Sequence, residues 1–239
     1  MGGTSKKIQR GTPGLAAVLA VCLMACCAGE ARAASVDYTL SGNSHIWSSG
    51  GINSTVQGDN IKVSDVIGVN TPANSGAALP FSDALFSFTS GTYASSNGDK
   101  YTYGSNGTFN VIGSFDLNGN GTLESGEKSI SLLSGTIGPL VLDRSSASQY
   151  KISSSNLTVT NYALASYFGY PVGTLFTGAM NLAFNVSTVP DDFQGGEGTS
   201  GDITTNPVPL PGAAMLLFSG LAGLFGLRRR SETLDCHSA

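Results

Sequence analysis

The stretch "TFNVIGSFDLNGNGTLESGE", residues 108 to 127, decides how this chain is read. In its first eight residues Phe109, Val111 and Phe115 fall on alternate positions, with Thr108, Asn110 and Ser114 between them. A strand sends alternate side chains to opposite faces, so this spacing predicts a strand with one buried face. The next twelve residues, "DLNGNGTLESGE", carry almost nothing to bury. They follow the spacing D-x-[DN]-x-[DN]-G-x5-E through Asp116, Asn118, Asn120, Gly121 and Glu127. Calcium takes six to eight hard oxygens, and this spacing supplies them from one short loop. Side chains of Asp116, Asn118 and Asn120 give three, the Thr122 carbonyl gives a fourth, Glu124 contributes directly or through water, and Glu127 binds through both oxygens. Ca2+ is therefore the expected cofactor, held weakly as extracellular loops hold it, because three of these side chains are carboxylates. A loop of this composition also serves simply as an Asn-Gly turn between two strands, and the spacing leaves that alternative open.

The same texture extends on both sides. Short β-branched or alternating runs recur at 36–40, 61–67, 84–88, 129–133, 140–142, 150–160 and 180–186. Clusters such as Ser49-Gly50-Gly51, Asn74-Ser75-Gly76, Asn97-Gly98-Asp99 and Asn106-Gly107 punctuate them with residues that accept positive φ. The stretch "YALASYFGY", 162–170, fits a short helix or a strand equally. The fold class is all-β, a β-sandwich or barrel-like domain over residues 34–190. After Pro190, "DDFQGGEGTSGDITTNP" is rich in Gly, Thr and acids and reads as a flexible linker over 191–206.

Both ends differ from this body. Residues 1–33 combine a basic start (Lys6, Lys7, Arg10), an apolar run shorter than a bilayer core requires, and the small-residue site Ala31-Arg32-Ala33, the pattern of a signal peptide cut between Ala33 and Ala34. A lipoprotein signal around Cys26 and an uncut anchor are the alternatives. Three of the four cysteines lie in this segment and Cys236 lies near the other end, so the body between them cannot form an internal disulfide. The formal charge of −4 hides an asymmetry: residues 34–206 hold five cations against thirteen carboxylates, a net of −8. Such a body repels phosphate backbones, so nucleic acid is not an expected partner.

At the far end stands "VPLPGAAMLLFSGLAGLFGLRRR", residues 208 to 230, followed by a tail, 231–239. Gly212 to Leu227 is apolar apart from Ser219, and with Val208 and Leu210 it reaches about the length of a bilayer span. Arg228, Arg229 and Arg230 would stay on the cytoplasmic side, leaving the body outside. Val208-Pro209-Leu210-Pro211, a Gly- and Leu-rich helix and a terminal arginine cluster together resemble the PEP-CTERM sorting signal, with Leu210 where the eponymous motif has Glu. The resemblance covers residues 207–230 alone. It implies export in a Gram-negative bacterium, transient tethering in the inner membrane, and recognition by an exosortase-like processing enzyme. Release to the cell surface or the extracellular matrix, often beside exopolysaccharide, would follow. Pro209 and Pro211 would then mark the recognition site and Arg228 to Arg230 the retention cluster. A permanent tail anchor is the alternative.

Catalytic signatures are sparse. His45 is the body's one histidine and lies in "SGNSHIW" without a nucleophile elbow, and no Cys or multi-His cluster offers a zinc site. The reading is a non-enzymatic surface or matrix protein with a structural or adhesive role. The alternative is a carbohydrate-binding or carbohydrate-hydrolysing protein, whose carboxylate pair would leave no mark in spacing. Trp47, Tyr93, Tyr101 and Tyr103 are its candidate sugar-stacking residues.

Overall fold

A computed structural model describes residues 33–42, 45–48, 54–186 and 196–208. The expected signal segment up to Arg32, the expected motif residues Pro209, Leu210 and Pro211, the apolar stretch after them and the Arg228–Arg230 cluster lie outside the described residues. Thirteen strands follow one another: β1 Ser35–Ser41, β2 His45–Ser48, β3 Val56–Val69, β4 Ala78–Pro80, β5 Leu85–Thr89, β6 Tyr93–Asn97, β7 Lys100–Tyr103, β8 Gly107–Gly113, β9 Ile130–Ile137, β10 Leu140–Arg144, β11 Gln149–Tyr162, β12 Phe176–Asn185 and β13 Gly196–Pro207.

Eight of these close on themselves. The order β1-β3-β5-β8-β9-β11-β12-β13 returns to β1, each neighbour antiparallel, so the cycle leaves no free edge. Of the two architectures the sequence allows, the chain adopts the barrel. The remaining strands lengthen its wall. β10 continues β9 along the same edge of β11, interrupted at Gly138-Pro139, and β7 and β8 form a matching row beside them. β6 prolongs the row of β5, β2 fills the gap between β13 and β3 past the end of β1, and β4 lies on the edge of β3 nearer its C-terminus.

The inward positions explain the closure. Phe176, Met180, Leu182 and Phe184 of β12 face inward on alternate positions, against Tyr38 of β1 and Ile203 of β13. On the other wall, Phe86 stacks on Phe88 at 5.7 Å and meets Phe109 of β8 at 6.5 Å. Where an aromatic ring fills the interior, its neighbour must be small. A Cβ on Gly135 would strike the Thr158 carbonyl and approach the Phe109 ring to 2.9 Å, so glycine lets β9 come close to β11. One end of the barrel is sealed by the segment after β11: a short 3-10 turn at Ala163–Ala165 leads into Tyr167 and Phe168, and Phe168 is fully buried. The run "YALASYFGY" is thus neither a regular helix nor a strand beyond Tyr162; it is a plug.

The linker expected over 191–206 does not form from residue 196 onward; residues 191–195 lie outside the described residues. Residues 196–207 are strand β13, paired along its length with β12 on one side and with β1 and β2 on the other; they are not a linker. The segment has few large apolar residues because its inward places are taken by Gly201, Ile203 and Thr205. A Cβ on Gly201 would press into Leu182 at 2.6 Å, so β13 closes the barrel by close approach and backbone hydrogen bonds more than by bulk.

Candidate functional site

Two regions gather chemistry. The first is the connection between β8 and β9, residues 114–129. The amide of Phe115 donates to the Glu127 carbonyl at 2.9 Å and closes its neck. Inside, the Asp116 carboxylate accepts the amides of Gly119 (2.7 Å) and Asn120 (3.2 Å) on Oδ1, and of Gly121 (2.6 Å) on Oδ2. Asn118 Oδ1 accepts the Asn120 amide at 3.0 Å, and Asn120 Oδ1 accepts both the amide and the hydroxyl of Thr122. Glu127, buried at 6 % exposure, accepts Leu117 and Asn118 on Oε1 and Glu124 on Oε2. Gly119 and Gly121 take φ of 71° and 81°, the left-handed turns that this winding requires.

The structure therefore brings the predicted ligands Asp116, Asn118, Asn120, Thr122, Glu124 and Glu127 into one hydrogen-bonded loop. Their oxygens suit a hard cation, with no sulfur or imidazole among them. Asp116 Oδ2, Asn118 Oδ1 and Glu127 Oε2 each accept one amide in these contacts, leaving further acceptor capacity. Asn120 Oδ1 holds two donors, so the Thr122 hydroxyl would turn away if an ion took that oxygen. Among the described residues no cluster of three or more His, Cys, Asp or Glu side chains has the arrangement of a metal site. That holds for the loop's own three carboxylates, Asp116, Glu124 and Glu127, as well; its other candidate donors are the side-chain carbonyls of Asn118 and Asn120 and the main-chain carbonyl of Thr122. Asp83, which the spacing argument did not reach, comes to the same place: it accepts the Ser114 amide at 3.3 Å and lines a hollow of about 310 Å³ with Phe81, Asp116 and Lys128. Its position depends on the pairing of β5 with β8, to which local spacing is blind.

The second region is an open groove of about 540 Å³ on the outer wall, over β2, β3, β5, β8 and β9. Trp47 forms one side and packs against His45 at 5.0 Å with 37° between the rings. Gln57, Ser87, Asn110 and Ser134 line the remainder, and Ser131 donates to Asn110 Oδ1 at 2.7 Å. Asp59 is the one carboxylate among the lining residues, and no lining residue is cationic. Register carries a row of small polar side chains away from Trp47, through Gln57 and the successive threonines Thr89, Thr108, Thr136, Thr158 and Thr177. The tyrosines grouped with Trp47 in the sequence reading go elsewhere. Tyr103 is fully buried, meeting Tyr93 edge-on at 6.2 Å, and Tyr93 and Tyr101 are partly buried against the core.

A third cluster is internal. Asp37 Oδ1 and the hydroxyls of Tyr38, Tyr162 and Tyr170 are buried and lack a hydrogen-bond partner. Burial pushes the Tyr38 phenol well above its ordinary value, with Tyr162 beside it adding to the rise. Burial also raises Tyr162, opposed by Tyr38 and Thr205. Phe176 lies edge-on to both Tyr162 (4.6 Å) and Tyr170 (5.1 Å).

No family model, no curated protein and no solved structure matches the chain. Among the described residues no helix is long and apolar enough to cross a membrane.

Proposed function

We propose that this is an exported envelope or matrix protein with a structural or adhesive role: a closed barrel delivered by disposable addresses at its two ends. The supporting observation is where the barrel begins and stops. β1 opens at Ser35, one residue past the expected cut between Ala33 and Ala34, and β13 stops at Pro207, one residue short of the Pro209-Leu210-Pro211 motif. The folded body thus occupies the interval that two-ended processing by a signal peptidase and an exosortase-like enzyme would leave. Ca2+ is the proposed cofactor of the 116–127 loop, held by Asp116, Asn118, Asn120, the Thr122 carbonyl, Glu124 and Glu127, where it would tie the β8–β9 connection together.

The test is the intact mass of the protein recovered from cell surface and medium, captured through an internal epitope. A species starting at Ala34 and ending near Pro209 to Gly212 is expected. A species confined to membranes and still carrying Arg228 to Ala239 would replace the released protein by an anchored one.

The Trp47 groove favours a second reading, recognition of a neutral exopolysaccharide. Sugar rings stack on an indole that keeps one face open, and Trp47 is half-buried at the side of this groove; hydroxyl and amide side chains without cations suit an uncharged chain of hydroxyls. With one carboxylate at the groove, binding is better supported than hydrolysis, which uses two flanking carboxyl groups. Binding to surface polysaccharides that is lost in Trp47→Ala would establish this reading; unchanged retention would remove it.

A further inference from the structure

Among the described residues, the large apolar side chains left exposed all fall at one end of the barrel. Val69 ends β3, Leu85 begins β5, Ile112 lies one residue from the end of β8, and Leu117 and Leu123 belong to the β8–β9 connection. Val172 and Leu175 precede β12, and Val208 follows β13. Neighbouring strands run antiparallel and the register pairs Ser35 with Val69, Leu85 with Ile112, Gly113 with Ile130 and Phe176 with Pro207, so these positions share one pole. Scattered exposed apolar residues need no explanation, but their collection at one pole does.

That pole is also where the chain leaves. The Val208 amide donates to the Leu175 carbonyl at 2.8 Å, fastening the exit to the segment that carries the two most exposed apolar residues. Val172 is 99 % exposed and Leu175 68 %. Val172 sits in a tight turn in which Thr174 returns both its amide (3.1 Å) and its hydroxyl (2.8 Å) to the Pro171 carbonyl, and Gly173 takes a φ of 87°. The turn presents an apolar tip, and residues 169–176 contain no charge. Beyond Val208 come Pro209 and the apolar stretch to Leu227. Because residues 196–207 are barrel wall, no spacer separates the fold from that stretch.

We propose that this pole is a membrane-resting surface, with Val172 and Leu175 dipping into the headgroup boundary of the bilayer that residues 208–227 enter. The proposal rests on the reading of 208–227 as a span. A short exit holds the pole at the interface, and two apolar side chains on a rigid turn add contact area there. Asp83 and Asp116 share a hollow at this end with Lys128, so the pole carries charge of both signs, and a zwitterionic bilayer isolates the apolar contact from electrostatic attraction.

The full chain, reconstituted in phosphatidylethanolamine and phosphatidylcholine vesicles with a trace of tail-photoactivatable phospholipid, is irradiated and its lipid adducts mapped by mass spectrometry. Adducts are expected both in 208–227 and in 171–176. In the double variant Val172→Asp, Leu175→Asp, adducts at 171–176 fall about tenfold while those in 208–227 and the melting temperature persist. Adducts confined to 208–227 in the parent chain overturn the proposal and leave the span intact. Adducts absent from 208–227 overturn the span reading, and the proposal with it; undiminished adducts at 171–176 in the double variant overturn the proposal alone.

Discussion

Glu127 Oε1 accepts the main-chain amide of Leu117 at 3.0 Å, reaching back ten residues to tie the far side of its own loop to the neck. The same carboxylate takes the amides of Asn118 and Glu124, so one buried anion satisfies three donors. Hydrogen bonds to an ionised group contribute about 1.5–3 kcal/mol each and are not additive within one loop. Glu127→Ala is expected to lower the unfolding free energy by about 3 kcal/mol in urea titration. Glu124→Ala, at an exposed site, is expected to cost less than about 1 kcal/mol. Equal losses would mean that the Glu127 network does not organise the loop.

Calcium should act on this loop as a ligand that binds only the folded chain. At ten times its dissociation constant such a ligand adds about 1.4 kcal/mol. Calorimetric melting in millimolar Ca2+ is expected to shift upward, to reverse with chelator, and to lose the shift in Asp116→Ala. A melting curve indifferent to Ca2+ would leave the loop as a hydrogen-bonded turn alone.

The contact between β9 and β11 leaves no room for a methyl group. Gly135→Ala drives a Cβ into the Thr158 carbonyl and the Phe109 ring, and is expected to destabilise by about 2–4 kcal/mol as an overpacked site. Gly126→Ala faces open space and keeps an ordinary backbone, so a change below about 0.5 kcal/mol is expected. Paired urea titrations distinguish a packing effect from a general intolerance of substitution.

Strand β13 should be indispensable. A chain ending at residue 195 loses the partner of both β1 and β12 and bares two edges of the cycle. It is expected to lack cooperative unfolding and to be cleaved throughout by protease, whereas a chain ending at Val208 keeps a resistant body. Equal resistance of the two would return residues 196–207 to the status of a linker.

The buried phenols set an alkaline limit. Tyr38 and Tyr162 are raised in the fold, so the folded chain keeps protons that the unfolded chain sheds above its ordinary phenol value of about 10. Stability is then fully present below that value and falls as pH climbs through the window between the unfolded and folded values, by up to about 1.4 kcal/mol per pH unit for each such tyrosine. Denaturation from pH 8 to 11.5 is expected to be flat and then fall, less steeply in Tyr38→Phe. An unchanged slope in that variant would place the titrating group elsewhere.

Strand texture was legible wherever apolar residues alternate: 36–40, 84–88, 150–160 and 180–186 all lie in or overlap β1, β5, β11 and β12. Closure into a barrel was not, because it depends on which strands meet, and the β1–β13 pairing brings Val36 to Thr205 from opposite ends of the barrel sequence. β13 carries little strand signal in the sequence because its inner face is Gly201, Ile203 and Thr205, a face that packs by absence of bulk. The hydrogen-bonded loop of residues 116–127 was legible because its residues sit within twelve positions. Asp83 and the Trp47 groove were not, since each depends on register between distant strands.

The seam of the barrel joins its first strand to its last, with Val36 opposite Thr205. A chain emerging N-terminus first must therefore wait, open-edged, until its final barrel strand has arrived. Closure is then an event of timing, completed only when residues 196–207, the last strand of the cycle, have themselves emerged.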